Sequence, residues 1–338
     1  VAQCAPPAWF VEDAAMTRRP FRLLPMLATL LLALPAVPAV AGGAAAVSAE
    51  YLPRAASYGP PPVAARHQGG LYRISGHGRV AYLFGTVHVG ARSLYPLAPE
   101  VSRALALASR VVVEVDIRAN DAFARAVDSH GSYGAGDDIG RHVAPETLAE
   151  LTHVLHASGI SLSSMARLKP WLVANIVLGM ELERHGYRRS EGVEQELLAE
   201  AHSRGAPVAE LESADYQLAL FDTMDDVAAE RYLRETLRDL ANGTALRRAQ
   251  ALIDAWNSGD TGAQDALLQD ATKGGSAVAE FTRRMLLGRR NPEMAEHIEQ
   301  QMRMGSVTFV GVGLLHLLGA NGLPQLLAQR GYLVEQVY

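Results

Sequence analysis

Cysteine is nearly missing from this chain. Cys4 is the sole cysteine among 338 residues, and it lies ahead of a segment that reads as a cleavable leader. The mature protein is therefore expected to use no thiol nucleophile, disulfide, cysteine-ligated zinc or iron–sulfur cluster. Charge is also modest. With 20% charged residues and a net charge of -5, the chain lacks the basic excess of a nucleic-acid binder and the low hydrophobicity of a disordered one. It has no phosphate loop, dinucleotide fingerprint, nucleophile-elbow serine or His-Glu-x-x-His motif. No repeat of fixed period runs through it.

What is present begins with targeting. From Met16 the chain carries Arg18, Arg19 and Arg22, then an apolar stretch broken by Pro25, Pro35 and Pro38, then Ala39-Val40-Ala41. That is the pattern of a secretory signal cleaved after Ala41. "TRRPFR" resembles a twin-arginine signal, and a plain Sec signal fits as well. Residues 1–15 carry no targeting logic, as if the true start were Met16. Residues 42–68, rich in Ala, Pro and Gly, read as a flexible leader. The expectation is an exported protein, periplasmic or secreted, with no membrane span after cleavage.

The remainder, 69–338, reads as one α/β domain. "LYRISGHGRVAYLFGTVH" forms two strands joined at Gly76-His77-Gly78. A helix follows at about 97–109. "VVVEVDI" (111–117) is a buried strand. Helical segments then start near Pro145, at about 161–185 and at "EGVEQELLAEAHSRG", followed by a short strand in "PVAELE". Amphipathic helix continues from Ala214 to Arg303, and strand–helix–strand closes the chain. The economical architecture is a single mixed sheet built from both chain ends, with helices around it and a helical insertion at about 140–304.

Two apolar strands end in the same way. "YLFGTVHVG" places His88 three residues after Gly85, and "TFVGVGLLHLLG" places His316 three residues after Gly313. In open α/β sheets ligands bind beyond the carboxyl ends of the strands. Glycine permits a sharp turn and a close approach there, and imidazole is both a metal ligand and a base matched to neutral pH. Each histidine alone also fits a packed strand cap. If the two share an ion, their strands must be neighbours, more than two hundred residues apart in the chain though they are. Glu114 sits mid-run between Val113 and Val115, where an unpartnered carboxylate is costly to bury. Its strand, reached through a helical crossover, is expected beside the first histidine strand. His153 and His156 are a second histidine pair, read as solvated helix surface.

Taken in order, these pieces resemble the TraB/GumN family. They are "LFGTVHVG", the strand glutamate of "VVVEVDI", "EGVEQELLAEAHSRGAPVAELES" with Gln217 after it, "WNSGD", "RRNPEMAEHI" and "FVGVGLLHLLGANGLPQLLAQRGYLVEQV". The group is similar to the TIKI metalloproteases and more distantly to the erythromycin-esterase/ChaN-like fold. The resemblance covers about Leu71 to Val337. It departs at Glu194, where relatives usually carry aspartate. What it implies is a metal-dependent, peptidase-like hydrolase acting on a peptide or small-molecule substrate. His88, His316 and Glu114 would hold a divalent ion, whether zinc, manganese, cobalt or iron. Glu212 would be a further ligand or general base, and Arg290 would bind a substrate carboxylate or a developing oxyanion. The same resemblance leaves open a non-catalytic protein whose pocket holds haem, a peptide signal or a glycan.

Overall fold

The chain enters the fold on a hairpin. Strand β1 (Leu71–Gly76) runs antiparallel to β2 (Arg79–Thr86). His77 and Gly78 make the two-residue turn with φ of 50° and 71°, the left-handed backbone that such tight turns require. This computed structural model describes residues 67–338 apart from 117 and 119. The export signal, Cys4 and the leader as far as residue 66 lie outside the described residues. The leader's expected end at residue 68 already belongs to the fold. Gln68 is fully buried, donates to the Leu94 carbonyl at 2.8 Å and accepts from the Ala98 amide at 3.0 Å.

Four further strands complete one mixed sheet: β3 (Arg110–Val113), β4 (Val208–Glu210), β5 (Val307–Gly313) and β6 (Leu333–Gln336). Their order is β4-β3-β5-β2-β1-β6. The sheet does draw on both chain ends, and the two histidine strands are neighbours. β2 and β5 run parallel, with Gly85 opposite Val312 and Thr86 opposite Gly313. β3 is displaced from its expected place, because β5 lies between it and β2. A crossover of one helix, Pro99–Leu107, leaves a gap in the sheet, and β5, buried from Thr308 to Gly313, fills it. Strands buried on both faces favour such continuous apolar sequence.

The run 111–117 forms a shorter strand than expected. β3 stops at Val113, so Glu114 stands just past its carboxyl end. Its ladder ends where the three-residue β4 does, with the Leu211 and Glu212 amides donating to the carbonyls of Val113 and Glu114, each at 2.9 Å.

The helices fall on either side of β4 in the chain. One group includes Pro145–Ala157, Pro170–Arg184 and Val193–Ser203. The segment expected to be helical over 161–185 is a single turn at Leu162–Ser164 followed by Pro170–Arg184. Proline lacks the amide hydrogen that a helix interior needs, so Pro170 sits in the first turn. The second group holds Ala214–Asp222, Asp226–Ala241, Thr244–Ser258, Thr261–Thr272 and Arg290–Met304. A π-helical stretch, Thr282–Arg289, leads into the last of these.

Two large apolar cores result among the described residues, with a small third cluster of Val89, Leu182 and Ala249. Phe84, Val112, Phe309 and Ile298 belong to the one around the sheet. Trp171, Phe221, Leu233 and Phe281 belong to a second among the helices, where Trp171 and Phe221 stack at 4.9 Å. Among the described residues no helix is long and apolar enough to cross a membrane.

Candidate functional site

The parallel register of β2 and β5 brings both Gly-x-x-His units to one end of the sheet. His88 follows β2 by two residues. Its Nδ1 lies 2.6 Å from Glu194 Oε1, and the Thr86 hydroxyl donates to the same oxygen. Glu194 stands in the first turn of Val193–Ser203. Glu194 thus has a local role, since one carboxylate oxygen holds both the strand end and the histidine.

His316 lies in the short helical turn Leu314–Leu317 after β5. Its Nδ1 is 2.5 Å from Asn291 Oδ1. The Asn291 amide nitrogen donates to the Asn321 carbonyl at 2.7 Å, which fixes which way the amide faces. Its oxygen can only accept, so His316 Nδ1 carries the hydrogen and Nε2 the lone pair, an assignment made from the network. His88 follows the same logic, because its Nδ1 meets a carboxylate. Both imidazoles are therefore oriented through Nδ1 by a side-chain oxygen, an arrangement common around metal-ligating histidines.

Gly313 shows where the two Nε2 sides meet. A Cβ built there would lie 3.1 Å from His88 Nε2, 3.3 Å from Glu114 Oε1 and 3.7 Å from His316 Cδ2. Neither Gly85 nor Gly313 has positive φ, so the sharp-turn reason for these glycines fails and the close-approach reason holds. A Cβ on Gly85 would fall 2.2 Å from the Gly69 carbonyl oxygen. From the other side Trp256 Nε1 donates to the Gly85 carbonyl at 2.7 Å, which gives the "WNSGD" motif its place beneath the site.

Glu114 is 2% exposed. Its Oε1 accepts from the Gly313 amide at 2.6 Å and lies 3.7 Å from His316 Nε2. Its Oε2 accepts from Arg290 Nη2 at 2.6 Å. Arg290 also donates through Nε and Nη2 to Glu212, at 3.0 and 2.7 Å. Gln217 donates to Glu212 as well, at 2.7 Å. Arg290, Glu114 and Glu212 are all buried. Neither Glu114 nor Glu212 is among the residues that line the cavity, and Arg290, which reaches the wall, has its Nε and Nη2 bonded to their carboxylates. Arg290 and Glu212 together anchor Glu114.

The electrostatics follow from burial. Burial works to raise the Glu114 pKa, but His316, Arg290, His88 and the Gly313 amide together push it down to about 2. Arg290 is the partner whose charge persists at every working pH. Burial lowers the His316 pKa to about 3 against the pull of Glu114, with Arg290 and His88 adding to the fall. For His88 burial is outweighed by the charge and hydrogen bond of Glu194, and its pKa is raised. Arg290 is likewise raised, since Glu212 and Glu114 overcome its burial.

A neutral His316 turns a bare Nε2 lone pair toward an anionic carboxylate oxygen. Two such donors repel unless an electrophile lies between them. The donor chemistry therefore fits a divalent cation on His88 Nε2, His316 Nε2 and Glu114 Oε1. Among the described residues no group of three or more His, Cys, Asp or Glu side chains is set at metal-ligand geometry, and Glu114 Oε1 is at present bonded to the Gly313 amide. His153 and His156 are both exposed on the Pro145–Ala157 helix, as expected.

A cavity opens in front of this cluster. Thr86, His88, Gly313, His316 and Arg290 line one part. The rest is walled by the helical group, with Leu178, Leu182, Leu252, Leu267, Leu286 and Leu287 among its residues. Arg248 lies at its rim and bridges Asp239 at 2.6 Å and Asp270 at 2.8 Å.

Sequence reading missed Asn291 and left Glu194 without a role. Asn291 follows Arg290 directly in "RRN", and a polar residue so placed in a buried helix face was the available signal.

The chain is similar to the protein named "Uncharacterized protein YbaP" from Shigella flexneri, at 26% identity over 74% of this chain and 88% of the relative. The protein of the same name from Escherichia coli (strain K12) is also 26% identical, over 73% and 87%. No solved structure matches the chain. The model of the TraB/PrgY/gumN family matches residues 70–336, a span that takes in the sheet, both histidines and the Glu114–Arg290–Glu212 cluster, and the chain belongs to that family.

Proposed function

We propose that this protein is an exported, metal-dependent hydrolase that cleaves an amide or ester bond. The observation that carries the reading is the shared hollow beside Gly313. There two histidines with occupied Nδ1 atoms and one anionic carboxylate oxygen turn toward a common point. His88, His316 and Glu114 would hold the ion, be it zinc, manganese, cobalt or iron. Bound there, the ion would supply Lewis acidity toward a carbonyl and toward water.

The chain's own residues do the rest. Glu194 and Asn291 hold the imidazoles in orientation and tautomer. Arg290 keeps Glu114 anionic, which makes Glu114 a poor proton acceptor and a good charge partner. Glu212 holds the Arg290 guanidinium in place through Nε and Nη2. A substrate seated in the leucine-lined cavity would displace water from it, which would strengthen the charge interactions inside. Export rests on the segment 16–41 alone.

Turnover of a panel of nitrophenyl esters and anilides, before and after chelation and after return of each of the four metals, tests the reading. Activity lost on chelation and restored by one metal is expected. Activity indifferent to chelation, or none with any metal in properly folded protein, would contradict it.

A further inference from the structure

We propose that the substrate is an ester of a long, unbranched acyl chain, with the chain held in the leucine-walled cavity and the ester carbonyl at the histidines. This rests on the hydrolase reading above and narrows its substrate. The argument turns on what the cavity wall can bond. An extended peptide presents amide and carbonyl groups along its whole length, and each costs free energy if buried without a partner. Grooves for extended peptides meet that need with a free strand edge, and amide side chains can serve the same need.

This cavity has neither. β2 and β5, the strands that reach it, are paired on both sides. No asparagine or glutamine lines it. The hydroxyls that do are mostly spent within the protein. Thr86 donates to Glu194, Thr236 to the Tyr232 carbonyl at 3.0 Å, Tyr232 to Asn175 at 3.4 Å, and Ser276 accepts from the Ala279 amide at 3.0 Å. The charged rim residues Asp239, Arg248 and Asp270 satisfy one another. Between rim and histidines the wall is largely leucine, valine and alanine. Such a surface suits a hydrocarbon chain, which asks for nothing but removal from water.

In the reaction a water oxygen bonds to the acyl carbon and the bond from that carbon to the alkoxy oxygen breaks. One water proton ends on the leaving oxygen. The products are a fatty acid and an alcohol, and at neutral pH the acid's proton passes to solvent. The fatty acid is thus a product that fills the same cavity.

The test is a binding series with metal-free, folded full-length protein. Octanoate, decanoate, dodecanoate and hexadecanoate compete against a fluorescent fatty-acid probe, with a leucine-rich octapeptide as the contrasting competitor. Affinity should rise by up to roughly fourfold per added methylene, the worth of one buried CH2, and then level off. Leu252 and Leu267 are only partly buried cavity residues. Leu267→Trp should shift the levelling point to shorter chains, and Leu252→Asn should weaken all long chains several-fold. Leu107→Asn, at an exposed site outside the cavity, should change nothing. No dependence on chain length, an octapeptide that competes better than dodecanoate, or equal effects of cavity and surface variants would each overturn the proposal. Metal content of wild type against His88→Ala and His316→Ala, read on separate preparations that have not been stripped of metal, judges the hydrolase reading independently. If metal binding fails while chain-length dependence holds, the hydrolase is lost and the acyl-chain site stands.

Discussion

Arg290 donates to Glu114 at 2.6 Å across 176 residues of chain, and from the same Nη2 to Glu212 at 2.7 Å. One buried cation thereby serves two buried carboxylates at the floor of the site, and the trio keeps one net negative charge. Removing it leaves both anions without their charge partner. Arg290→Met should lower stability by roughly 3–5 kcal/mol, the usual consequence of breaking a buried ion pair from one side. Arg290→Lys should cost less, because an ammonium keeps the charge but loses the planar fork. Denaturant midpoints measure both. A loss below about 1 kcal/mol for Arg290→Met would show that the cluster is not the anchor described here.

Glu114→Gln separates charge from shape. The amide oxygen can still accept from Gly313, and Glu212 still balances Arg290, so a loss of about 1–3 kcal/mol is expected at neutral pH. The pH dependence has a definite sign. The folded-state pKa of Glu114 is depressed to about 2. Its contribution is therefore complete above the ordinary carboxylate value and fades as pH falls toward 2. The gap between wild type and Glu114→Gln should close over that acid range. A gap that stays constant between pH 6 and pH 3 would contradict the assignment.

Gly85 and Trp256 form a third test. Gly85→Ala would force a methyl into the Gly69 carbonyl, 2.2 Å from the new carbon. Backbone would have to move, at a cost of about 1–3 kcal/mol or more. Trp256→Phe removes the hydrogen bond to the Gly85 carbonyl and leaves that carbonyl unpaired, for about 1–3 kcal/mol. Because both changes act on one strand end, their effects should fall short of additive in the double variant. Full additivity would mean that the two residues act independently.

Away from the site, His142 ties a loop to two aspartates. Its Nδ1 lies 2.9 Å from Asp226, its Nε2 3.0 Å from Asp137, and Tyr133 stacks on it at 4.1 Å. The hydrogen bond to Asp226 raises its pKa despite partial burial, and Asp137 adds to the rise. A raised folded-state pKa means the stabilisation is complete below the ordinary histidine value and is lost as pH climbs through the raised one. His142→Gln should lower the melting temperature at pH 6 and do progressively less as pH rises toward 9. An effect that grew with pH would reverse the sign of this argument.

Much of the fold was legible because it is written in local chemistry. The Gly76-His77-Gly78 turn, the β-branched run before Glu114 and the two strand–Gly–x–x–His units each carry their own signal. What was not legible depends on order in space. Nothing near Val307 says that β5 will enter between β2 and β3, so Glu114 was expected beside the first histidine strand and stands beside the second. The Glu114–Arg290–Glu212 cluster was read residue by residue, but its members' roles came from their partners. Arg290 looked free to bind substrate until two carboxylates were seen to hold it. Gly85 and Gly313 were correctly singled out, for a reason only half right. They clear space, and they do not supply a left-handed turn.

The central claim is that His88 and His316 serve one ion. Titration of metal-stripped protein with zinc, followed by elemental analysis of wild type, His88→Ala and His316→Ala, tests it most directly. The account predicts about one equivalent in wild type and at least a hundredfold weaker binding in each single variant, with the fold intact by circular dichroism. Equal metal content in all three proteins, or none in wild type, would contradict it.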